Sequence, residues 1–209
     1  MPETPPVLHL SKAEINQLPM RKYDGPIHLI QTPADAKQAA KTLSAEILLG
    51  FDTETRAAFR PGESYSPSVL QLASANEVFL FQIRFTGLIP ELREILSNPN
   101  ILKAGVSIRD DVSELRKLAP FEPAGFVELA TWAKKAKIKN LGLRGMGALL
   151  LGFRISKREQ VSNWGKRELT RSQIAYAATD AWVGREIYLQ MDQRGLTPSQ
   201  CESSLSHPN

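Results

Sequence analysis

Glu46-Ile47-Leu48-Leu49-Gly50-Phe51-Asp52-Thr53-Glu54 (EILLGFDTE) is the stretch on which the fold turns. Its apolar run is too short for a free-standing helix and suits a buried strand, and it leads straight into two acids. On a strand, residues i and i+2 share a face, so Asp52 and Glu54 project together. Two carboxylates side by side after a buried strand repel unless something cationic lies between them. A D-x-E triplet alone is common, and its plain reading is a strand that ends in two solvated acids.

Working outward, residues 68–73 and 78–83 read as further strands, with Ser74, Ala75, Asn76 and Glu77 as a hairpin between them. Residues 88–96 carry helical spacing (Leu88, Leu92, Ile95, Leu96) and stop before Asn98-Pro99. A strand at 101–106 ends in the glycine-bearing KAGV, followed by helix signals over 107–118 and a short strand at 126–129. Toward the N-terminus, 26–30 is a short apolar run. Thr32-Pro33-Ala34-Asp35 then opens a helix, with Thr32 as N-cap and Pro33 in the first turn. From Ala130 onward the pattern is helical, ending in a long helix from Arg171 to about Arg194 that Gly195 closes. Hairpin strands followed by strand–helix alternation imply an α/β fold, a mixed sheet covered by helices. Residues 1–25, with Pro2, Pro5, Pro6 and Pro19, read as a tail or wrapping arm. Residues 26–195 form the folded domain, and the polar 196–209 is expected to be a disordered tail.

The 209 residues are 42% hydrophobic and 23% charged, which excludes wholesale disorder and collagen-like structure. The single cysteine, Cys201, excludes an internal disulfide and a cysteine-built zinc site. His9, His28 and His207 lie far apart, which argues against a histidine metal site or a His-containing triad. No apolar run approaches the roughly 18 residues that span a bilayer, and MPETPPVLHL lacks the basic-then-apolar order of a secretion signal. A cytoplasmic protein that works away from membranes is expected. The net charge of +4 is unevenly spread: residues 131–171 hold eleven Lys or Arg against only Glu159 and Glu168. A basic stretch in an otherwise acidic chain suits a polyanion partner, against the plainer reading of a solvated lysine-rich face.

Two further acidic elements stand out. In GVSIRDDVSEL, Ser107 reads as an N-cap with Asp110 at the capping-box position, which leaves Asp111 free to point elsewhere. In LTRSQI, Thr170 and Gln173 make a capping box and Leu169 with Ile174 a hydrophobic staple, which sets the phase of the last helix. Tyr176 and Asp180 then share one face, flanked by Ala175, Ala177, Ala178 and Ala181, small enough to admit a close neighbour. An aspartate deep in an apolar helix is costly unless paired or bound to a metal. Asp52, Glu54, Asp111 and Asp180 form an all-oxygen set that suits Mg²⁺ or Mn²⁺ and does not suit zinc or copper. Two such ions about 3.5–4 Å apart can hold both the attacking and the leaving oxygen of a phosphodiester. No G-x-S-x-G, P-loop or H-E-x-x-H motif offers a rival chemistry.

The order FDTET, KAGVSIRDD, YAATDAW resembles the three motifs of the DEDD 3′–5′ exonucleases, and Tyr176 in Y-x-x-x-D resembles their DEDDy branch. Within it the chain is similar to the exonuclease domain of the Werner syndrome helicase and, more distantly, to ribonuclease D. The resemblance runs over residues 47–191 and includes SPSVLQLA, VELA and SNWGKRELT. It implies a ribonuclease H-like fold with a five-stranded mixed sheet flanked by helices. It also implies two divalent cations, Mg²⁺ or Mn²⁺. Asp52 would bridge them, and Glu54 would be a ligand that also orients the attacking water. Asp111 would hold the outer ion and Asp180 would be the third-motif ligand. Tyr176 would hydrogen-bond the water.

The function so implied is release of 5′-mononucleotides from nucleic-acid 3′ ends, with DNA favoured. The alternatives are an RNA-trimming enzyme of ribonuclease D type and a catalytically decayed nucleic-acid-binding module. Arg56, Trp164, Lys166 and Arg167 are the nucleic-acid-binding candidates. Lys166 and Arg167 are expected near the mouth of the site, and Trp164 either stacks on a base or packs against the sheet. The chain is expected to act as a monomer, with any helicase or repair function coming from a separate partner.

Overall fold

Fourteen elements are formed in the computed structural model, which describes residues 8–58 and 62–197. In chain order they are α1 (Lys12–Gln17), β1 (Ile27–Ile30), α2 (Pro33–Leu43), β2 (Leu48–Thr55), β3 (Pro67–Ala73), β4 (Val78–Gln82) and α3 (Ile83–Thr86). They continue with α4 (Pro90–Ser97), β5 (Leu102–Gly105), α5 (Arg109–Leu118), β6 (Phe126–Glu128), α6 (Leu129–Lys135), α7 (Leu143–Leu151) and α8 (Arg171–Gln193). Of the proposed C-terminal tail only Leu196 and Thr197 are described, and residues 1–7 of the proposed arm also lie outside the described residues.

The strands form one mixed sheet in the order β1-β4-β3-β2-β5-β6. β3 runs antiparallel to its neighbours β2 and β4, and every other pairing is parallel. The expected count of five strands is corrected to six. The additional strand is the apolar run at 26–30, which pairs along β4 from Ile27 beside Val78 to Ile30 beside Phe81. As a four-residue edge strand with only Ile30 buried, it carries too weak a pattern to be read as more than a run.

Alternation along β2 divides the core. Leu49 and Phe51 face a layer that includes Leu43 of α2, Leu92 of α4 and Leu115 of α5. Leu48 faces the other layer, with Leu129 of α6, Met146 of α7 and Val183 of α8. Truncating one of these buried Leu or Phe side chains to Ala would cost about 2–5 kcal/mol.

On the second face α8 lies unusually close to the sheet. A Cβ on Gly50 would collide with the Ala181 carbonyl oxygen, and one on Gly184 would sit 3.0 Å from the Ala104 carbonyl oxygen. With Ala177, Ala178 and Ala181 fully buried beneath it, the helix rests its backbone on β2. That approach brings the acids of the two elements together.

The segment before β1 wraps this same face. Ser11 and Glu14 form a capping box that starts α1. Leu8 and Met20 make isolated bridges to Ile138 and Arg154, and the Tyr23 N–H donates to Thr179 Oγ1 of α8 at 3.0 Å. No helix among the described residues is long and apolar enough to cross a membrane.

Candidate active site

Asp52 and Glu54 project from one face of β2 as the i, i+2 rule requires, beside β3, with Asp52 opposite Gln71 and Glu54 opposite Val69. A bulge follows immediately between Glu54 and Thr55, so the strand ends its regular pairing at the acids. The Thr53 N–H donates to Asp52 Oδ1 at 2.9 Å. From the other side comes α8, whose start is set by the Thr170–Gln173 capping box read from the sequence. Its phase aims Tyr176 and Asp180 at β2. One carboxylate oxygen from each of Asp52, Glu54 and Asp180 lies within 4.8 Å of the others.

Glu54 and Asp180 are only 9% and 6% exposed, and both lie close to Asp52. Burial, and then the charges of Asp180 and Asp111, hold the Asp52 carboxyl well above the usual carboxylate range. Burial, followed by the neighbouring acids, pushes Glu54 up to about 10. Asp180 is raised by burial, partly offset by a hydrogen bond from the Tyr176 hydroxyl. The Tyr176 phenol is raised in turn, first by burial and then by Asp180 and Glu54, so it stays protonated at neutral pH.

Asp111 reaches the site from the opposite layer. Thr53 Oγ1 donates to its Oδ1 at 2.5 Å, and its carboxyl is raised by burial. It lies outside the tight trio, although its charge is felt at Asp52 and Glu54.

The helix that carries Asp111 does not start as the sequence suggests. Ile108, not Ser107, is the N-cap of α5, and no side chain of that segment caps it. Ser107 has φ +62°, and the Ser107–Asp110 capping box is not formed. The reason is Glu128 at the end of β6, whose two carboxylate oxygens accept the Ser107 and Ile108 N–H groups at 2.9 Å each. Asp110 is exposed, and Asp111 is still the acid of the pair that faces the site.

The nucleic-acid candidates divide. Trp164 is fully buried against Ala177, Ala178 and Ala181, with its ring 6.0 Å from that of Tyr176, so its face is closed to a base; stacking is corrected to core packing. Lys166 and Arg56 line one cavity of about 510 Å³. Arg167 lies over Phe85, 4.9 Å from the ring centre. The acids themselves open into a different cavity, of about 350 Å³, whose cations are Arg144 and Lys157. Sequence reasoning passed over these two. The signal for Arg144 was a lone arginine in the apolar run 141–151, and Asn16 of α1 holds it by accepting from its Nη2 at 2.6 Å.

The trio fits a hard divalent cation. Its donors are all oxygens, they converge, and Asp180 Oδ1 is buried with no hydrogen-bond partner among the described residues. Bound cations would favour the ionised form of these carboxyls, which burial and then the neighbouring acids oppose.

Residues 27–195 match the family model described as 3′-5′ exonuclease. The chain belongs to this 3′–5′ exonuclease family. It is 31% identical over 193 residues to the mouse bifunctional 3′-5′ exonuclease/ATP-dependent helicase WRN, an overlap of 87% of this chain and 14% of that protein. It is 30% identical over 164 residues to ribonuclease D of Acidiphilium cryptum, covering 77% of this chain and 41% of that one. The chain thus spans less than half the length of either relative. In three dimensions it superposes on the EXO domain of Aedes aegypti Nibbler with a TM-score of 0.75 and 22% identity, over 90% of this chain and 98% of that one. That likeness shows the fold, which is ribonuclease H-like. Members of this family are hydrolases, and the trio of Asp52, Glu54 and Asp180 is an acidic cluster of the kind that uses divalent metal.

Proposed function

We propose that the protein shortens nucleic acid from its 3′ end, hydrolysing the terminal phosphodiester to release 5′-mononucleotides, on DNA in preference to RNA. The observation that carries this reading is the convergence of Asp52, Glu54 and Asp180 within 4.8 Å in a chain of the 3′–5′ exonuclease family. These three, with Asp111, are the residues that would hold two divalent cations, Mg²⁺ or Mn²⁺. Such ions supply charge neutralisation at the scissile phosphate and lower the pKa of water.

The chain's own residues then divide the remaining work. Tyr176, protonated and held against Asp180, offers its hydroxyl as a hydrogen-bond partner that orients the attacking water. Glu54, on the strand facing it, is placed to bond the same water from the other side. Arg144 and Lys157 supply the positive wall of the acidic cavity, placed for the phosphate oxygens. Water adds to phosphorus, the bond to the 3′ oxygen breaks, and the shortened strand leaves with the proton on its new 3′ hydroxyl.

The preference for DNA is supported by the 31% identity to the WRN protein over most of this chain. The ribonuclease D relative, at 30%, supports the RNA reading as the alternative. Rates on 3′-recessed duplex DNA, single-stranded DNA and RNA, each with Mg²⁺ or Mn²⁺, distinguish them. Faster hydrolysis of RNA than of either DNA overturns the preference, and full activity in EDTA overturns the mechanism.

A further inference from the structure

Gln71 lies within β3 with both polar atoms of its amide buried and without a hydrogen-bond partner among the described residues. Its neighbours Val69, Leu70, Leu72 and Ala73 are apolar, and all five residues are fully buried. Gln71 shares the face of Val69 and Ala73, which pack with Trp164 and with Ala177, Ala178 and Ala181 of α8. Leucine or methionine would fill that layer without burying a polar group, whereas a buried amide that lacks a partner costs stability.

Two other glutamines, Gln82 and Gln173, are also buried, and they show what a structural amide does in this fold. Gln82 Oε1 accepts from Gln31 Nε2, and its own Nε2 donates to the Lys166 carbonyl. Gln173 Oε1 accepts the Thr170 N–H in the capping box, and its Nε2 donates to the Asn163 carbonyl. Gln71 does neither, so packing does not account for it. Its place in the sheet does. In the antiparallel pairing of β2 with β3 it stands directly opposite Asp52. Side chains so paired leave the same face of the sheet, with Cβ atoms about 4.5–5.5 Å apart, within reach of a glutamine amide. Asp52 Oδ1 accepts the Thr53 N–H, and an ionised carboxylate keeps lone pairs for a cation and for a further donor. A hydrogen bond from outside the ligand set fixes which way a ligating carboxylate turns.

Resting on the metal-dependent exonuclease reading, we propose that Gln71 is a positioning residue of the site: with a divalent cation bound, its Nε2 donates to the Asp52 carboxylate and holds it in the ligating orientation. The metal-free fold carries this amide at a loss of stability, and the loaded site uses it. The test replaces the amide by apolar side chains of similar size, Gln71→Met and Gln71→Leu. Tm in EDTA, Mn²⁺ affinity by calorimetric titration, and kcat with KM on single-stranded DNA and RNA are compared with wild type. Tm in EDTA should equal or exceed that of wild type in at least one variant, because an unpartnered buried amide has been removed. Mn²⁺ should nevertheless bind about tenfold more weakly in both, as expected when a partner of a metal ligand is lost. At limiting Mn²⁺, kcat should fall with that affinity, while KM for the strand changes little. Mn²⁺ affinity within about twofold of wild type in both variants would overturn the proposal, since a partner of a metal ligand is worth more than that. A Tm in EDTA that falls in both would also overturn it, because the amide would then be serving the fold. A wild type that binds Mn²⁺ but hydrolyses neither DNA nor RNA fails the exonuclease reading and leaves the titration to decide Gln71. A wild type that binds no divalent cation overturns both.

Discussion

Glu128 clamps Ser107: its Oε1 accepts the Ser107 N–H at 2.9 Å, while Oε2 takes the neighbouring Ile108 N–H. The clamp spans two parallel strands' ends, and the same Oε1 also accepts the Ala130 N–H at 3.1 Å. Ser107 is a non-glycine residue in the left-handed region, a strained conformation. The carboxylate satisfies the donors that this conformation exposes, and its charge has the favourable sign for the N-terminus of α5. Since Asp111 sits in the first turn of α5, Glu128 sets the position of an acid in the site without entering it.

Glu128→Ala should therefore destabilise the fold by about 2 kcal/mol, as expected when charge-assisted hydrogen bonds are lost at a half-buried position. Urea denaturation measures this. Turnover should fall further than substrate binding does, because Asp111 loses its register while the cationic walls remain. Wild-type stability in Glu128→Ala would show that the turn is held by other means.

This clamp also marks what was and was not legible in the sequence. The start of α8 was readable because both partners of its capping box, Thr170 and Gln173, lie within four residues. The start of α5 was misread because its cap comes from another strand, twenty residues later in the chain, and local rules then favour Ser107. Strand and helix periodicity bring Asp52 with Glu54, and Tyr176 with Asp180, to one face each, while the resemblance of FDTET, KAGVSIRDD and YAATDAW to the DEDD motifs is what marked them as site residues. That Trp164 is buried depends on the flat alanine surface of α8, which periodicity does not reveal. The short helix α1 carried its own Ser11–Glu14 box, yet the surrounding prolines masked it.

The metal-free protein should lose stability as pH rises. Asp52, Glu54, Asp111 and Asp180 all have folded-state pKa values above their unfolded ones, so the folded state holds more protons between the two. The contribution is fully present below about pH 4 and is lost progressively as pH rises, up to about 10 for Glu54. In EDTA, Tm should fall between pH 6 and pH 9, and Mn²⁺ should restore more of it at pH 9 because ligands already deprotonated bind more tightly. Asp180→Asn should raise Tm in EDTA and shrink the Mn²⁺-induced gain. A Tm that rises with pH in EDTA would contradict the assigned burial.

Asp111→Ala should abolish turnover, whereas Asp110→Ala should leave it near wild type and change stability by no more than about 0.5 kcal/mol. The two side chains are adjacent in sequence, but one is fixed by Thr53 Oγ1 and the other faces solvent. Single-turnover rates and urea denaturation of the pair check both halves. Loss of turnover in Asp110→Ala alone would mean that α5 presents its other acid to the substrate.

Tyr176→Phe isolates the hydroxyl. The ring packs beside Trp164 and over the alanine surface, and phenylalanine keeps that packing, so the fold should survive. A buried phenol pushed above its ordinary range is not a base at neutral pH, so the hydroxyl contributes by orienting water. Its loss should lower kcat by about 10²-fold, within the range for a positioned acid–base or orienting group, with KM for the nucleic acid little changed. The same substitution removes a hydrogen bond that lowers Asp180, so Asp180 should hold its proton to higher pH and metal should bind somewhat more weakly near neutrality. Calorimetric titration with Mn²⁺ reads that second effect independently of turnover. Wild-type kcat in Tyr176→Phe would reduce the tyrosine to a packing residue.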